Sequence, residues 1–271
     1  MKQKSVCLIF IIKFILFSCS TQQYNAESDF EFKIIENGTQ IEIVKYIGLN
    51  TDVRIPQKIN GLPVTVIGNE AFMARGFNNE FREFIPLFQL TSVTIPDSVM
   101  KIGSGAFIYN KLENIVIPES VTIIKHGAFA HNKLININIP EKITRIEMYT
   151  FAHNQLFNVN IPNSITHIGD IAFAWNQLSS IFIPDSVIYI GDVAFAGNNL
   201  TTVIIPKNVS YIGDRIFYEN QLESITFSNN IALLENIYSI YNDEFIGVLI
   251  NFGVRAGTYY LNNGSWKFRE N

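Results

Sequence analysis

The chain has 271 residues, of which 48% are hydrophobic and only 16% are charged, a composition that excludes an intrinsically disordered protein. Its formal net charge of −4 argues against nucleic acid as a main partner. The two cysteines, Cys7 and Cys19, lie too close to the N-terminus to build a disulfide framework.

The N-terminal residues have the pattern of an export signal. Residues 1–18 combine lysines with an apolar run and end on a small residue, which predicts a signal peptide. The segment Leu16-Phe17-Ser18-Cys19 resembles the bacterial lipobox, and this resemblance implies cleavage before Cys19 and lipidation of its thiol. An ordinary secretory signal that happens to precede a cysteine is the alternative. Residues 19–29 are polar and are predicted to form a tether.

Residues 30–52 are predicted to form an N-terminal β cap. Apolar and polar side chains alternate on both sides of Asn37-Gly38, and this dipeptide is a strong signal for a β-hairpin turn. A cap is expected on physical grounds, because the open end of a sheet exposes unpaired backbone groups that invite aggregation.

The first unit of a 22-residue repeat follows this cap, and it carries an insertion. Phe72 and Leu90 are 18 residues apart where Phe107 and Leu112 are 5 apart, so 13 residues are inserted at about 73–89. The insertion contains aromatic and basic residues, namely Arg75, Phe77, Phe81 and Arg82. One interpretation is a protruding loop that contacts a partner, since insertions in repeat proteins often form binding loops. The alternative is a segment that folds down over an edge of the first coils.

A repeat of 22 residues fills residues 53–234. The Ile-Pro dipeptide and three further columns of Phe, Asn and Leu all recur at this interval, giving the unit L-x-x-I-x-I-P-x-x-V-x-x-I-G-x-x-A-F-x-x-N-x. The asparagine column contains Asn110, Asn132, Asn154, Asn176, Asn198 and Asn220. One unit buries too little apolar surface to offset its backbone entropy, so stability requires stacking of the units into a solenoid.

The columns of the unit predict local structure. Ile115 and Ile117 share one face of a short strand that Pro118 ends, because proline cannot donate to the ladder. The recurring glycine, for example Gly169, is predicted to occupy a bend with an unusual backbone conformation. Each asparagine is predicted to lie inside a turn and to bond backbone groups of its own and neighbouring coils. Stacked strands would form a parallel sheet along one side.

The I-P…I-G-x-x-A-F-x-x-N pattern resembles the BspA-like class of bacterial leucine-rich repeats over about residues 30–271. This resemblance implies a right-handed leucine-rich-repeat solenoid that is β-dominated, with a parallel sheet on the concave side, few short helices and a hairpin cap at each end. Residues 235–271 would form the C-terminal β cap. The resemblance also implies a protein that is secreted or anchored at the cell surface.

No catalytic, metal or cofactor residues can be assigned from the sequence. The chain lacks G-x-S-x-G, H-E-x-x-H and phosphate-loop motifs, and its acidic residues fall at variable repeat positions. These observations predict a non-catalytic binding protein. The alternatives are a structural or periplasmic envelope scaffold and a protein that binds or modifies glycans.

Two rows of side chains are candidate interaction surfaces. An outward strand column without charges includes Asn138, Asn160, Phe182 and Ile204 and suits a peptide or glycan. The second row, here called the aromatic stripe, consists of Tyr109, His131, His153 and Trp175 immediately before the asparagine column. Aromatic side chains are good interface anchors, but a bare repeat consensus and a loop rim without function would give the same patterns.

The expected partner is a protein or peptide, such as an extracellular-matrix or host surface protein, and the expected membrane contact is through the lipid on Cys19. The resemblance and the lipobox together predict a bacterial envelope location, at the outer membrane or the cell surface, with secretion as the alternative. No nucleic acid partner is expected, and the sequence does not indicate an oligomeric state.

Overall fold

The computed structural model describes residues 24–78, 83–86, 89–228 and 256–270. The strands, in chain order, are β1 (Phe30–Ile35), β2 (Gln40–Tyr46), β3 (Asp52–Arg54), β4 (Lys58–Ile59), β5 (Leu62–Ile67), β6 (Arg75–Asn78), β7 (Glu83–Pro86), β8 (Ser92–Thr94), β9 (Lys101–Ile102), β10 (Ile123–Ile124), β11 (Arg145–Ile146), β12 (His167–Ile168), β13 (Tyr189–Ile190), β14 (Thr202–Ile205), β15 (Tyr211–Ile212), β16 (Ser224–Phe227), β17 (Gly257–Asn262) and β18 (Ser265–Arg269).

Helical structure in the described ranges is confined to two single 3-10 turns, Glu27–Asp29 and Glu36–Gly38. No helix in these ranges is both long enough and apolar enough to cross a bilayer. Several residues named above, among them Cys19, Phe81 and Arg82, lie outside the described residues, as does the predicted boundary between repeats and C-terminal cap.

The N-terminal end is a β-hairpin joined to the first coil. Strands β1 and β2 pair antiparallel, and the turn between them places Asn37 and Gly38 at φ 53° and 92°. Strand β2 then pairs in parallel with β5, which extends the sheet in the order β1-β2-β5-β9-β10. The hairpin therefore covers the edge that the first coil would otherwise expose.

The insertion contains a second small hairpin. Strands β6 and β7 pair antiparallel, with Arg75 opposite Pro86 and Phe77 opposite Phe84. Arg75 and Phe77 thus lie on one strand of this hairpin, whereas Phe81 and Arg82 lie outside the described residues. Contact of this insertion with a partner stays a prediction.

The continuous parallel ladders are formed by the two residues that immediately precede each recurring glycine position. Strands β9 and β10 pair there, and β11, β12, β13 and β15 form a four-stranded parallel sheet with pairs such as Ile146 opposite Ile168. These strands are only two residues long, because each coil turns at both ends of the segment.

The prediction of a strand at Ile115-x-Ile117 is wrong for the middle coils. Ile115 and Ile117 are buried and Val116 between them is 80% exposed, as an extended segment requires, but this column forms strands only in β3, β8, β14 and β16. In the middle coils a single bridge joins Asn138 to Asn160. Between middle coils this segment makes single backbone bonds, such as that from the Ile135 N–H to the Glu113 carbonyl, whereas β14 and β16 pair over four residues.

The core is one apolar layer that repeats along the solenoid. Each full coil buries Leu, Ile, Val, Ala and Phe side chains, and the phenylalanines stack in a single column. Successive ring centroids from Phe107 to Phe217 are 5.5–5.9 Å apart. The column continues through Phe72 to Tyr46 of β2, so the N-terminal hairpin packs on the same core as the repeats.

The recurring glycine has a different role from the one predicted. Gly169 does not have a positive φ, but a Cβ atom there would lie 2.7 Å from the Met148 backbone nitrogen and 2.9 Å from the Glu147 carbonyl carbon. The glycine is therefore required by close approach of consecutive coils. Left-handed backbone occurs instead before each asparagine and two residues before each phenylalanine, for example at Val193.

The C-terminal end of the described chain is another hairpin. Strand β17 pairs antiparallel with β16 and with β18, and Tyr259 and Trp266 from this hairpin are buried. The predicted fold class is confirmed: the described residues form a β-solenoid of about 8 turns with parallel sheets and almost no helix.

Candidate interaction surfaces

The asparagine ladder fixes the turn that carries the aromatic stripe. The Asn132 Nδ2 group donates to the Phe129 carbonyl of its own coil at 3.1 Å and to the Phe107 carbonyl of the preceding coil at 2.9 Å. Its Oδ1 atom accepts the Leu112 N–H at 3.1 Å. The other asparagines of the column repeat this arrangement and are buried, which confirms the predicted role of the column.

The residue before each asparagine has a left-handed backbone. The φ angles are 64° at Tyr109, 52° at His131, 54° at His153 and 53° at Trp175. A residue in this conformation directs its side chain away from the turn, and repetition of the same turn brings the four rings into one row. The aromatic stripe is therefore a direct consequence of the asparagine ladder.

The four rings of the aromatic stripe stack face to face. The centroid distances are 4.5 Å from Tyr109 to His131, 4.3 Å from His131 to His153 and 4.5 Å from His153 to Trp175. The two histidine planes differ by 6° and the last pair by 8°. Gly197 follows in the next coil, where a Cβ atom would lie 2.7 Å from Trp175 Cδ1, so the indole covers the glycine.

Tyr149 flanks the aromatic stripe. Its hydroxyl lies 2.6 Å from His131 Nε2, and its ring meets His131 and His153 edge-on at 5.7 and 5.8 Å. Burial raises the pKa of the Tyr149 hydroxyl and lowers the pKa of His153. Both shifts favour the neutral forms of Tyr149 and His153 at neutral pH.

Stacking limits what the aromatic stripe can bind. Neighbouring rings occupy both faces of His131 and His153, so a partner can contact only the edges of these two rings, while the Trp175 indole is 41% exposed. Flat stacking of a sugar on an open ring face is therefore disfavoured. The role of the stripe as an interaction surface stays a prediction.

The outward strand column forms a separate row. Phe182 is 72% exposed and Ile204 56%, while Asn138 and Asn160 are also exposed and are joined by the bridge between their coils. No ring contact joins Trp175 to Phe182 in the described part of the chain. The sequence thus identified two rows that the structure keeps apart.

A second aromatic row was missed by the sequence analysis. His167, Tyr189 and Tyr211 occupy one column in β12, β13 and β15, with ring centroids 5.6 and 4.4 Å apart. Burial raises the pKa of both tyrosines, and nearby aspartates raise it further. Burial also lowers the pKa of His167, with the neighbouring Arg145 charge adding to this shift. The signal was the same interval of 22 residues, in a column whose residue types vary more.

The aspartates beside this second row form a ladder of their own. The Asp192 N–H donates to Asp170 Oδ1 at 3.0 Å, and the Asp214 N–H donates to Asp192 Oδ1 at 2.8 Å. These carboxylates therefore serve to join coils. Among the described residues no three His, Cys, Asp or Glu side chains are grouped to hold a metal ion.

A cavity of about 330 Å³ lies between the N-terminal hairpin and the first coil. It is lined mainly by apolar groups, including Tyr46, Phe72 and Leu90, together with Lys45 and Glu70. Small-molecule sites combine such a lining with several convergent polar groups that fix the orientation of a ligand. The cavity does not show that combination.

The comparisons agree on the class of repeat. The BspA type Leucine rich repeat region matches residues 81–187 and 166–246, in six copies. A search of curated proteins finds no match.

Solved structures of bacterial repeat proteins are similar to this chain. A leucine rich cell surface protein from Faecalibacterium prausnitzii A2-165 is 24% identical, with a TM-score of 0.54 over 90% of this chain and 59% of that protein. A leucine-rich repeat protein from Bacteroides ovatus ATCC 8483 is 23% identical over 74% of this chain and 64% of its own length, with a TM-score of 0.45.

The first of these similarities supports the fold alone, and the chain spans only 59% of that protein's length. The repeat match is more extensive, since its two segments together cover more than half of the present chain. The columns that define the repeat are those that form the core and the asparagine ladder. The chain belongs to the family of proteins with the BspA type leucine-rich repeat region.

Proposed function

We propose that this chain is a non-catalytic surface lipoprotein of a bacterial envelope whose repeats bind another protein and mediate adhesion to host or neighbouring-cell macromolecules. Leucine-rich-repeat proteins typically serve protein–protein interaction. The observation that carries the proposal is the outward strand column, where large apolar side chains such as Phe182 and Ile204 face solvent and no charge occurs from Thr94 to Thr226. Exposed apolar groups in a charge-free surface are typical of interaction sites.

The proposed anchor is the lipid on Cys19, supported by the lipobox resemblance of Leu16-Phe17-Ser18-Cys19. Each buried acyl CH₂ contributes about 0.8 kcal/mol to membrane binding, so two or more chains would hold the protein firmly. The polar residues that follow would separate the solenoid from the membrane surface. This arrangement would leave the repeats accessible to a partner.

Absence of catalysis is part of the proposal. Ionisable groups with shifted pKa, such as His153 and Tyr189, belong to stacked rows that join coils, and Tyr149 contacts one of these rows edge-on. A catalytic site would instead converge such groups around a concave space for substrate. Their arrangement along the solenoid supports a binding scaffold.

Location is tested by protease treatment of intact cells that produce the full chain. Surface exposure predicts cleavage in intact cells, whereas protection until the cells are lysed would indicate a periplasmic scaffold and refute the surface proposal. Palmitate labelling tests the anchor: the Cys19→Ala variant should lose the label, and the matched Cys7→Ala variant should keep it. Equal labelling of both variants would contradict the proposed anchor.

Adhesion is tested with the same cells on wells coated with an extracellular-matrix extract. Cells that produce the full chain should adhere more strongly than cells from which it has been deleted, and protease shaving should remove the difference. Equal adhesion of both cell types would refute the proposed adhesion to matrix proteins.

A further inference from the structure

The outward face of the last coils continues onto the C-terminal hairpin. Strands β14, β16, β17 and β18 form one four-stranded sheet, in that order. Residues directly opposite each other in a sheet point to the same face, and the register gives one row: Ile204, Thr226, Thr258 and Arg269. The adjacent row of the same face consists of Thr202, Ser224, Tyr260 and Lys267.

This face changes its chemistry from one end to the other. The coil end is apolar, with Ile204 in β14 and Phe182 at the same column position one coil earlier. The middle is lined by hydroxyls, and the Thr226 and Thr258 oxygens are 3.0 Å apart. The hairpin end is cationic, since Lys267 and Arg269 are both exposed.

The two cations are available to a partner. The Arg269 guanidinium lies over the Tyr260 ring at 5.9 Å, which orders its side chain without neutralising its charge. No ion pair of Lys267 or Arg269 occurs in the described part of the chain. An acidic group that approached this end would therefore meet two unpaired positive charges.

We propose that this terminal face, which extends from Phe182 and Ile204 to Lys267 and Arg269, binds an extended polypeptide segment that carries an apolar side chain and an acidic side chain. The inference rests on the proposed function, and it adds where the partner binds and what chemistry the partner has. The apolar side chain packs on Phe182 and Ile204, and the carboxylate binds the cations. The hydroxyls between them bond the partner's peptide groups.

The sheet geometry sets the spacing of the two anchors in the partner. Adjacent strands are about 4.8 Å apart, so three strand steps separate Ile204 from Arg269 by roughly 14 Å and a fourth step reaches Phe182 at roughly 19 Å. An extended chain rises about 3.3 Å per residue. The apolar and acidic residues of the partner are therefore about four to six residues apart.

A polypeptide fits this surface better than other macromolecules do. The two rows from Ile204 to Arg269 and from Thr202 to Lys267 contain no carboxylate or amide, groups with which proteins commonly bond sugar hydroxyls, and the face has one amide at its edge, Asn262. An anionic polysaccharide would use Lys267 and Arg269 but would leave Phe182 and Ile204 without a role. Only a peptide supplies apolar, hydrogen-bonding and acidic groups in one extended strand.

The test selects displayed random dodecapeptides on the immobilised full-length chain. Enriched peptides should carry an apolar and an acidic residue about four to six positions apart. A synthetic peptide from the enriched set is then titrated by fluorescence anisotropy. Its affinity should fall at least about tenfold with the double variant Phe182→Ser/Ile204→Ser and, separately, with Lys267→Gln/Arg269→Gln.

Matched controls come from exposed residues elsewhere on the solenoid. Val116 is an exposed apolar residue in the same column at the other end of the repeats, and Lys133 is an exposed cation on the rim. The Val116→Ser and Lys133→Gln variants should bind the peptide with wild-type affinity. Circular dichroism on all variants checks that the fold is retained, as expected for substitutions of exposed side chains.

Several outcomes would overturn the inference: no enrichment of peptides, enriched peptides without an acidic residue, or unchanged affinity in either double variant. Binding of heparin that only the cation variant reduces would point to an anionic polysaccharide and would also overturn it. These failures are distinct from failure of the proposed function. If the double variants leave cell adhesion intact while deletion of the chain abolishes it, the assignment of the binding site to the terminal face is wrong and the proposed surface-binding function stands.

Discussion

Replacement of one asparagine in the ladder tests the central structural conclusion. Asn154 is buried, and its Nδ2 group donates to the Phe129 and Phe151 carbonyls at 3.0 and 3.1 Å. Its Oδ1 atom accepts the Leu134 N–H at 3.0 Å. The Asn154→Ala substitution removes all of these bonds at a site that joins two coils.

The expected loss of stability is smaller than the number of bonds indicates. The Phe129 and Phe151 carbonyls each accept a second bond, from Asn132 and Asn176 respectively, so neither carbonyl is left without a donor. Only the Leu134 N–H becomes unpaired, at a cost of about 1–3 kcal/mol. Loss of one of the two hydrogen bonds at each shared carbonyl adds about 1 kcal/mol. We expect the free energy of unfolding to fall by about 2–4 kcal/mol.

Urea unfolding of Asn154→Ala and the wild-type chain measures this difference, and hydrogen exchange at the Leu134 amide locates it. That amide should exchange faster in the variant than in the wild type. The matched control is Gln155→Ala, because Gln155 is the exposed neighbour and its bond to the Leu134 carbonyl uses only its backbone. A stability change no larger than that of the control would refute the role assigned to the ladder.

Three further predictions concern the coil contacts and the aromatic stripe. Gly169→Ala should lower the free energy of unfolding by about 1–3 kcal/mol, because the added Cβ atom meets the Met148 backbone. Val193→Asn should raise it by about 1 kcal/mol, since a β-branched residue at positive φ is strained and asparagine tolerates that conformation. Burial lowers the pKa of His153 from its ordinary value of 6.5, so stability should be lost as pH falls below 6.5 and the unfolded chain takes up the proton. His153→Phe should reduce this loss.

Each of these predictions has a direct check. Thermal and urea unfolding compare Gly169→Ala with Lys125→Ala, which changes the equivalent position of a coil that already carries a side chain there. Similar effects of the two substitutions would contradict the close-approach argument. Val116→Asn is the control for Val193→Asn, as Val116 is exposed without a positive φ. Unfolding measured between neutral and acidic pH tests the prediction for His153. If the free energy of unfolding depended on pH equally in the wild type and in His153→Phe, the lowered pKa of His153 would be contradicted.

The core and the ladder were predictable because side-chain identity alone determines them. Columns of Leu, Ile and Phe at a fixed interval can only be buried together, as Phe129 and Phe151 are. An asparagine repeated at that interval among apolar columns must bond the backbone, since a buried amide without partners is costly. The interval therefore indicated both the solenoid and the network that joins its coils.

The position of the regular sheet could not be derived in the same way. A strand is defined by hydrogen bonds between coils, and these depend on how closely two backbones approach. That distance is set at Gly169 and its equivalents, whose role was misassigned to local conformation. The second aromatic row was missed because its column contains Lys101, Ile123 and Arg145 before His167, so it lacks a constant residue type.

The aromatic stripe and the terminal face differ in how much of their side chains they leave for a partner. In the stripe, His153 is sandwiched between two rings and its conformation is imposed by the ladder, so its contacts already contribute to joining the coils. On the terminal face, Phe182 and Ile204 are more than half exposed, and Phe182 joins no ring stack within the described part of the chain. Substitutions in the stripe are therefore expected to lower stability, whereas substitutions on the terminal face are expected to lower binding without unfolding the chain. The repeat pattern emphasised the stripe, but the exposed surface that is free to form new contacts lies where the coils join the C-terminal hairpin.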